Sequence, residues 1–234
     1  MGRSLARQMA ARGDRVFLLG RDTDELCRSA VDLEIRGAPS PVGTAHCDLD
    51  DPGTFDAALA EASNALGGLD TVVVTAALFA TQDRLESDLR LAERMLTTNF
   101  TNTVLFCERA RVRLLLGGSG TLCVFSSVAG DRGRTPVVLY GAAKAGLSAY
   151  LEALDHKFRS RGLTVVCVKP GFVKTSMTEG LPVPPFAGEP DAVAARVLAA
   201  IDRGRPVVYA PPVWAAIMAV IRMLPRFVMR RLKF

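Results

Sequence analysis

A tyrosine and a lysine four positions apart are the residues of this sequence with the most informative chemistry. In the run YGAAK, a helical backbone would place Tyr140 and Lys144 on one face, one turn apart. We expect the ammonium of Lys144 to favour the phenolate and so to lower the pKa of Tyr140. A phenol adjusted in this way can donate or accept a proton near neutral pH, which predicts acid–base catalysis.

Two serines precede this segment. Ser126 and Ser127 follow the apolar run Thr121–Phe125, which is typical of a buried strand. Strands of an α/β sheet present ligand-contacting residues at their carboxyl ends, so we expect the Ser127 hydroxyl to hold a substrate carbonyl. A Tyr-x-x-x-Lys pair alone is more often an ordinary helix-surface pair. The presence of Ser127 before Tyr140 in an alternating α/β chain favours catalysis.

Strand-like and helix-like segments alternate along the chain. Apolar runs bounded by turn residues predict strands at Arg15–Leu19, Thr71–Thr75, Thr121–Phe125, Thr164–Val168 and Pro206–Tyr209. Longer segments predict helices at Gly2–Ala11, Asp24–Arg36, Pro52–Leu66, Leu89–Leu115, Leu139–Arg161 and Pro190–Arg203. Strands that are apolar on both faces indicate a parallel sheet covered on two sides. The predicted fold class is therefore α/β, a doubly wound Rossmann-type parallel sheet with helices on both faces.

The first predicted element is unusual for this fold class. A doubly wound nucleotide-binding domain opens with a strand, a glycine turn and a helix, whereas this sequence opens on the helix Gly2–Ala11. The predicted sheet therefore lacks its first strand, and its two neighbours would each have an unpaired edge. Two explanations stay open: a start site placed about fifteen residues too late, or a truncated form that is unstable or inactive.

Composition and charge exclude several classes of protein. With 234 residues, 49% hydrophobic and 23% charged, the chain fits one globular domain rather than a disordered segment. Its five cysteines contain no Cys-x-x-Cys pair and its two histidines have no ligand spacing, which predicts no metal site and suits a reducing cytoplasm. Residues 203–234 carry seven basic and no acidic side chains, against 22 basic and 24 acidic elsewhere. Because the basic charge is confined to the C-terminal end, it gives little indication of a nucleic-acid partner, and none is expected.

The basic charge belongs to a tail, residues 211–234, that follows a predicted oxidoreductase domain of residues 1–210. The apolar run Val213–Ile221 is far shorter than the ~20 residues needed to cross a bilayer. Apolar and aromatic residues beside arginines instead predict an interfacial segment drawn to anionic lipid. These residues are Trp214, Met218, Ile221, Met223, Phe227 and Phe234. The alternative is a C-terminal helix that packs on the domain or on a second subunit.

The sequence resembles the short-chain dehydrogenase/reductase family over nearly its whole length. The resemblance rests on FSSVAG at residues 125–130 and on YGAAK at residues 140–144. It implies that Ser127, Tyr140 and Lys144 are catalytic, and that Asn99, in the run LTTNF, completes the proton relay. It further implies hydride transfer between a nicotinamide and a carbonyl or hydroxyl carbon, with the protein orienting the cofactor.

The same resemblance implies a cofactor site. Gly2 matches the last glycine of the family's Thr-Gly-x-x-x-Gly-x-Gly motif, at a helix N-terminus that suits a pyrophosphate. Arg21 follows a predicted strand, and an arginine there suits a 2′-phosphate, so NADP(H) is favoured over NAD(H). The other cofactor-binding residues that the family pattern implies are Asp48, Ala77, Tyr140, Lys144, Pro170, Gly171, Val173 and Thr175.

The tail is similar to one branch of the family, the actinobacterial reductases of decaprenylphosphoryl-2-keto-pentose. This similarity rests on YAP at residues 209–211, LPRF at 224–227 and RRLKF at 230–234. It implies a lipid-linked keto-sugar substrate, a role in cell-wall biosynthesis and a peripheral position at the inner face of the plasma membrane. The alternatives are a reductase of soluble or acyl-chain ketones, and a non-catalytic membrane-surface protein that keeps the fold. The long helices of the family also imply a homo-oligomer.

Overall fold

The computed structural model describes residues 1–232 of the chain. Its strands are β1 (Phe17–Gly20), β2 (Gly43–His46), β3 (Thr71–Val74), β4 (Gly120–Phe125), β5 (Leu163–Pro170) and β6 (Val207–Ala210). Its α-helices are α1 (Gly2–Ala11), α2 (Thr23–Ile35), α3 (Phe55–Leu66), α4 (Gln82–Ser87), α5 (Leu89–Leu96), α6 (Thr103–Leu116), α7 (Val138–Phe158), α8 (Pro190–Asp202), α9 (Val213–Met223) and α10 (Arg226–Met229). This alternation confirms the predicted α/β class.

All paired strands are parallel, and they form two groups. One group is β1 with β2, and the other has the order β3-β4-β5-β6. Within residues 1–232, no backbone pairing joins β1 to β3. The sheet therefore has an open gap between two strands that each keep one unpaired edge, as the sequence predicts.

The core has two layers because side chains of the central strands alternate between the faces. In β4, Leu122 and Val124 pack in the cluster formed with α3, α6 and α7. Cys123 and Phe125 pack in the second cluster, formed with α1 and α8. All four residues are at most 4% exposed. Burial on both faces explains why this strand is a continuous apolar run in the sequence.

Several element boundaries differ from the sequence prediction. The strand β2 is not predicted, because the run GTAH lacks an apolar pattern and forms by pairing alongside β1. The predicted helix Leu89–Leu115 is instead two helices joined by the π-helical turn Thr97–Asn102. The short helix α4 is also additional. Such π turns are frequent at functional sites, where they change the direction of side chains.

The start of the tail is helical and packs on the domain. In α9, Met218 and Ile221 are buried and contact Val128. The opposite side of the helix exposes Met223, which is 85% exposed. Of the residues assigned to the tail, Lys233 and Phe234 lie outside the described residues. None of the helices within residues 1–232 combines the length and apolar character that crossing a membrane requires.

Candidate active site

Ser127 stands directly after the carboxyl end of β4, where the chain turns. Its hydroxyl accepts a hydrogen bond from the Ala129 N–H at 3.1 Å and so caps the 3-10 turn Val128–Gly130. The same hydroxyl donates to the carbonyl oxygen of Pro170, the last residue of β5, at 3.5 Å. Ser127 is therefore fixed between the ends of two neighbouring strands, as expected for a residue that holds a ligand.

Two glycines bring α7 against this turn. A Cβ at Gly141 would come 2.9 Å from the Ala129 carbonyl oxygen, and one at Gly130 would come 2.6 Å from the Lys144 carbonyl carbon. Real Cβ atoms do not approach other atoms so closely, so only glycine permits this packing. The close approach places Tyr140, in the first turn of α7, next to the Ser127 hydroxyl, which lies close enough to affect its pKa.

Lys144 is buried one turn after Tyr140. It is 2% exposed, and its Nζ donates to the carbonyl oxygen of Phe125 at 2.8 Å. The distance from Nζ to the centre of the Tyr140 ring is 5.9 Å. Burial lowers the pKa of Lys144 to about 8, because the surroundings penalise its charged form. The structure thus brings Ser127, Tyr140 and Lys144 together.

The electrostatics of Tyr140 differ from the sequence prediction. Burial raises the pKa of Tyr140 to about 12, and the Ser127 hydroxyl offsets only part of this shift. The predicted lowering by Lys144 is therefore wrong for this structure. The physical reason is desolvation, which penalises the charged phenolate of Tyr140 and, in the same way, the charged ammonium of Lys144. The Lys144 Nζ donates its hydrogen bond to the Phe125 carbonyl oxygen.

Asn99 is buried in the π-helical turn, and its side chain binds the backbone of Leu78. Its Oδ1 accepts from the Leu78 N–H at 2.8 Å, and its Nδ2 donates to the Leu78 carbonyl oxygen at 2.7 Å. Asn99 therefore fixes the backbone that follows β3. The structure shows this positioning contact, and a relay role stays a prediction.

Phe79 is a site residue that the sequence analysis does not single out. Its ring meets the Tyr140 ring edge to face, with centroids 5.2 Å apart and planes at 85°. The contact helps to hold the phenol in one orientation. Phe79 follows Leu78 in a loop without periodicity, so only its position after the run TAAL at residues 75–78 could have indicated this role.

The segment after β5 is held in a defined conformation. Val173 is buried and its carbonyl oxygen accepts from the Thr178 hydroxyl at 2.7 Å. The Thr175 N–H donates to the same hydroxyl at 3.0 Å, in a reciprocal cap of the turn Ser176–Thr178. Pro170 and Gly171 continue from the sheet, since the Gly171 N–H donates to the Ala210 carbonyl at 3.0 Å. This segment thus lies beside Ser127.

A cavity of about 790 Å³ occupies the gap between β1 and β3 and extends to the carboxyl edge of the sheet. It is lined by four of the predicted cofactor-binding residues: Gly2, Arg21, Asp48 and Ala77. A Cβ at Gly2 would come 2.7 Å from the Thr75 Oγ1, so α1 begins directly at the end of β3. A helix N-terminus at this edge fits the phosphates of a dinucleotide. The residues present therefore fit the predicted cofactor.

Arg21, Asp22 and Arg3 all line this cavity, and their side chains have different partners. The Asp22 Oδ1 accepts from the Glu25 N–H at 2.9 Å and caps α2. Arg3 forms an ion pair with Glu25. Arg21 is exposed at the cavity wall. An arginine presented there fits an anionic group on a ribose.

Asp48 follows β2 and is oriented by its own backbone. Its Oδ1 accepts from the Asp50 N–H at 3.0 Å, and the Asp48 N–H donates to the Thr54 hydroxyl at 3.1 Å. The carboxylate has a second oxygen that can accept from an adenine amino group. The geometry is compatible with the predicted role beside the adenine.

Within residues 1–232, no three His, Cys, Asp or Glu side chains are grouped so that they could hold a metal ion. The thiols of Cys47, Cys107, Cys123 and Cys167 are buried, and burial raises the pKa of each. Thiols of this kind are unreactive core residues.

The fold and the site together define a class: an α/β oxidoreductase that binds a nicotinamide cofactor at the carboxyl edge of a parallel sheet. Residues 1–183 match the short chain dehydrogenase family, and the chain belongs to that family. The family resemblance inferred from the sequence is thereby confirmed, and so is the enzyme class.

Curated relatives extend this similarity over nearly the whole chain. An uncharacterized oxidoreductase of Mycobacterium tuberculosis is 34% identical over 232 residues, covering 99% of this chain and 92% of the relative. An uncharacterized oxidoreductase of Streptomyces coelicolor is 35% identical over 238 residues, covering 99% and 91%. A putative ketoacyl reductase of the granaticin polyketide synthase of Streptomyces violaceoruber is 32% identical over 184 residues, covering 76% and 66%.

Proposed function

We propose that this protein reduces a carbonyl compound with NADPH, using Tyr140 as the acid. The observation that carries the proposal is the convergence of three groups: the Ser127 hydroxyl, the Tyr140 phenol and the Lys144 ammonium, whose Nζ is 5.9 Å from the phenol ring. These groups stand beside the segment Pro170–Thr175, which is the expected position for a nicotinamide ring.

The protein residues supply the proton and the orientation. The nicotinamide, when bound, supplies the hydride to the carbonyl carbon. Ser127 donates a hydrogen bond to the carbonyl oxygen, and Tyr140 delivers the proton to that oxygen, giving an alcohol. The raised pKa of Tyr140 keeps the phenol protonated before this step, which suits the reductive direction. Lys144 stands one turn away, where it is proposed to hold the nicotinamide ribose. Asn99 is proposed to complete the route by which Tyr140 regains its proton.

NADP(H) is the favoured cofactor. Arg21 is presented at the cavity beside α2, while Asp22 is engaged as the cap of that helix. The exposed position of Arg21 at the cavity wall supports the 2′-phosphate of NADP(H) as the group that meets Arg21.

The favoured substrate is a lipid-linked keto-sugar of the decaprenylphosphoryl-2-keto-pentose type, with a role in cell-wall biosynthesis. Its support is the tail, whose sequence resembles the branch that acts on such substrates and whose exposed side fits a membrane surface. An acyl-chain ketone is the second candidate. It is favoured by the similarity to the putative ketoacyl reductase of the granaticin polyketide synthase.

The tail is proposed to hold the protein at an anionic membrane, the inner face of the plasma membrane. Val220, Met223 and Phe227 are each at least 62% exposed on α9 and α10. The exposed arginines beside them are Arg222, Arg226, Arg230 and Arg231. Apolar side chains inserted among headgroups and cations facing anionic lipid are the two components of interfacial binding.

Flotation with phosphatidylcholine vesicles, with and without phosphatidylglycerol, tests this attachment. We expect binding only to the anionic vesicles, and loss of binding in Met223→Asp. Ile35→Asp is the matched control, because Ile35 is 81% exposed at the end of α2, outside the tail. Equal flotation of Met223→Asp and the parent protein would remove the membrane proposal.

A homo-oligomer is also proposed, with α6 in its interface. Leu105, Val112 and Leu116 are at least 40% exposed on this helix, and Phe100 precedes it at 38%. Exposed apolar side chains on one helix are typical of a subunit contact. Light scattering on the purified protein gives the mass that checks this proposal.

The reductase function is tested by NADPH consumption with Tyr140→Phe. The panel contains a lipid-linked 2-keto-pentose, 3-oxoacyl thioesters and simple ketones. We expect Tyr140→Phe to bind NADPH normally and to lose at least about 10²-fold in kcat, the lower range for one acid–base group. Tyr150→Phe removes a remote hydroxyl, bonded to Glu108, and should stay active. A Tyr140→Phe variant with normal turnover would refute the acid role.

A further inference from the structure

The first turn of α9 lies against the segment that follows β5. The indole of Trp214 covers Gly171 so closely that a Cβ at Gly171 would come 2.1 Å from the indole Nε1. The preceding residue, Pro170, accepts the hydrogen bond from the Ser127 hydroxyl. Trp214 therefore contacts Gly171, the residue next to Pro170, and the Pro170 carbonyl oxygen binds the proposed catalytic serine, Ser127.

The same face of α9 is fixed at a second point near Ser127. Met218 and Ile221 follow Trp214 by four and seven residues, so the three side chains share one helix face. Met218 and Ile221 are buried in a cluster with Val128, the residue after Ser127. This helix face therefore forms a wall beside Ser127, and Trp214 is its partly exposed end.

A loop returns from the active site to the same indole. The loop is closed at its base, where the Lys174 N–H donates to the Gly188 carbonyl oxygen at 3.0 Å. Phe186 lies in the returning arm of the loop, two residues before Gly188, and is 60% exposed. The Trp214 indole N–H donates to the Phe186 carbonyl oxygen at 3.4 Å. One side chain thus joins the returning arm of the loop, close to its base, to the backbone of Gly171.

This wall lies beyond the part of the chain that the family pattern describes. The family match ends at residue 183, whereas Phe186 and all of α9 follow it. Trp214 is also the one tryptophan of the chain. Phe186 and Trp214 therefore lie in a C-terminal region that the shared family pattern does not describe, although individual relatives align over it.

We propose that Trp214 is a positioning and specificity-determining residue. It covers the backbone of Gly171 beside the proposed position of the carbonyl substrate at Ser127, and it holds the returning arm of the loop of residues 174–188 there. A flat aromatic surface beside the carbonyl favours a substrate with an apolar face there. The substrate preference rests on the proposed reductase function, whereas the hold on the loop does not depend on it.

Proteolysis tests the hold on the loop without any substrate. Glu179 is exposed within the loop and is a cleavage site for a glutamyl endopeptidase. We expect cleavage after Glu179 to be about tenfold faster in Trp214→Ala, because the loop opens more often. Trp214→Phe keeps a ring over Gly171 and should stay within about twofold of the parent rate. Met223→Ala, on the exposed side of α9, is the matched control.

Kinetics test the effect on specificity. We expect Trp214→Ala to raise KM for the carbonyl substrate about tenfold, with kcat and the Kd for NADPH within about twofold. Trp214→Phe should restore KM, and circular dichroism checks that each variant is folded; if Trp214→Ala unfolds, Trp214→Leu replaces it. A cleavage rate and a KM in Trp214→Ala that equal those of the parent protein would overturn the proposal. So would a loss confined to kcat. If the parent protein reduces no carbonyl, the reductase function has failed, and the cleavage rates still decide the role of Trp214.

Discussion

Gly130 lies against the backbone of Lys144, at a distance that leaves no room for a methyl group. A Cβ on Gly130 would come within 2.6 Å of the Lys144 carbonyl carbon. The Ser126 hydroxyl donates to the Lys144 carbonyl oxygen at 3.0 Å from the same side. This contact sets the separation between the turn that carries Ser127 and the helix that carries Tyr140.

We therefore expect Gly130→Ala to reduce activity more than stability. The added methyl must push the turn away from α7, which costs about 1–3 kcal/mol in the free energy of unfolding. Displacing Ser127 from Tyr140 should lower kcat about 10²-fold, as misplacements of about 1 Å do in active sites. Gly133→Ala is the control, since nothing lies within 4 Å of a Cβ there. A normal kcat in Gly130→Ala would contradict this explanation.

Asn99→Asp tests the contact that fixes Leu78. The aspartate keeps an acceptor for the Leu78 N–H but replaces the donor to the Leu78 carbonyl oxygen with an oxygen. Asn99 is fully buried, so the unpaired and repelling oxygens should lower the free energy of unfolding by about 2–4 kcal/mol. Urea unfolding gives the difference. Asn64→Asp on the exposed side of α3 should change little, and an equal effect of the two substitutions would argue against the Leu78 contact.

The depressed pKa of Lys144 predicts a pH dependence of stability. In the folded protein Lys144 loses its proton above about pH 8, whereas in the unfolded chain it keeps the proton up to the ordinary value of 10.5. The unfolded state thus binds more protons between these values, and this residue's contribution to stability rises with pH. Lys144→Met lacks this contribution. Its stability relative to the parent protein should therefore fall by about 3 kcal/mol between the two pH values.

Comparing the parent protein with Lys144→Met at each pH isolates the contribution of Lys144 to stability, because the buried thiols and Tyr140 are present in both proteins. Chemical unfolding at several pH values gives the measurement. A difference between the proteins that is constant from pH 8 upward would show that Lys144 titrates normally.

Arg21→Ala tests the cofactor preference. If Arg21 meets the 2′-phosphate, its removal should weaken NADPH binding about 10- to 100-fold, the range for a charged hydrogen bond, and leave NADH binding nearly unchanged. Fluorescence titration gives both Kd values. Arg36→Ala is the matched control, because Arg36 pairs with Asp32 at the other end of α2. An equal loss for NADPH and NADH would place Arg21 elsewhere in the cofactor site.

The sequence predicts best where one local pattern determines the structure. The buried strands β4 and β5 and the helix that carries Tyr140 and Lys144 are apolar or helical over their own length, so periodicity alone finds them. It fails for β2, because the run GTAH is a strand only through pairing with β1. It also fails for the π-helical turn at Asn99, which depends on the contact with Leu78.

The candidate site shows the same division. The identity and order of Ser127, Tyr140 and Lys144 follow from sequence, and so does their common location. The electrostatics do not, because the pKa of Tyr140 depends on how deeply the whole site is buried. Contacts between distant segments, such as Phe79 on Tyr140 and Trp214 on Gly171, also need the three-dimensional structure.

Because the strands form two groups, a bound cofactor would also contribute to the stability of the fold. Arg21 and Asp48 follow β1 and β2, whereas Ser127 and Pro170 belong to the group of β3 to β6. A dinucleotide that reaches both would act as a tie between parts of the sheet that share no backbone pairing. Cofactor binding should then raise the free energy of unfolding in addition to supplying the nicotinamide. The melting temperature should therefore rise with cofactor concentration by mass action.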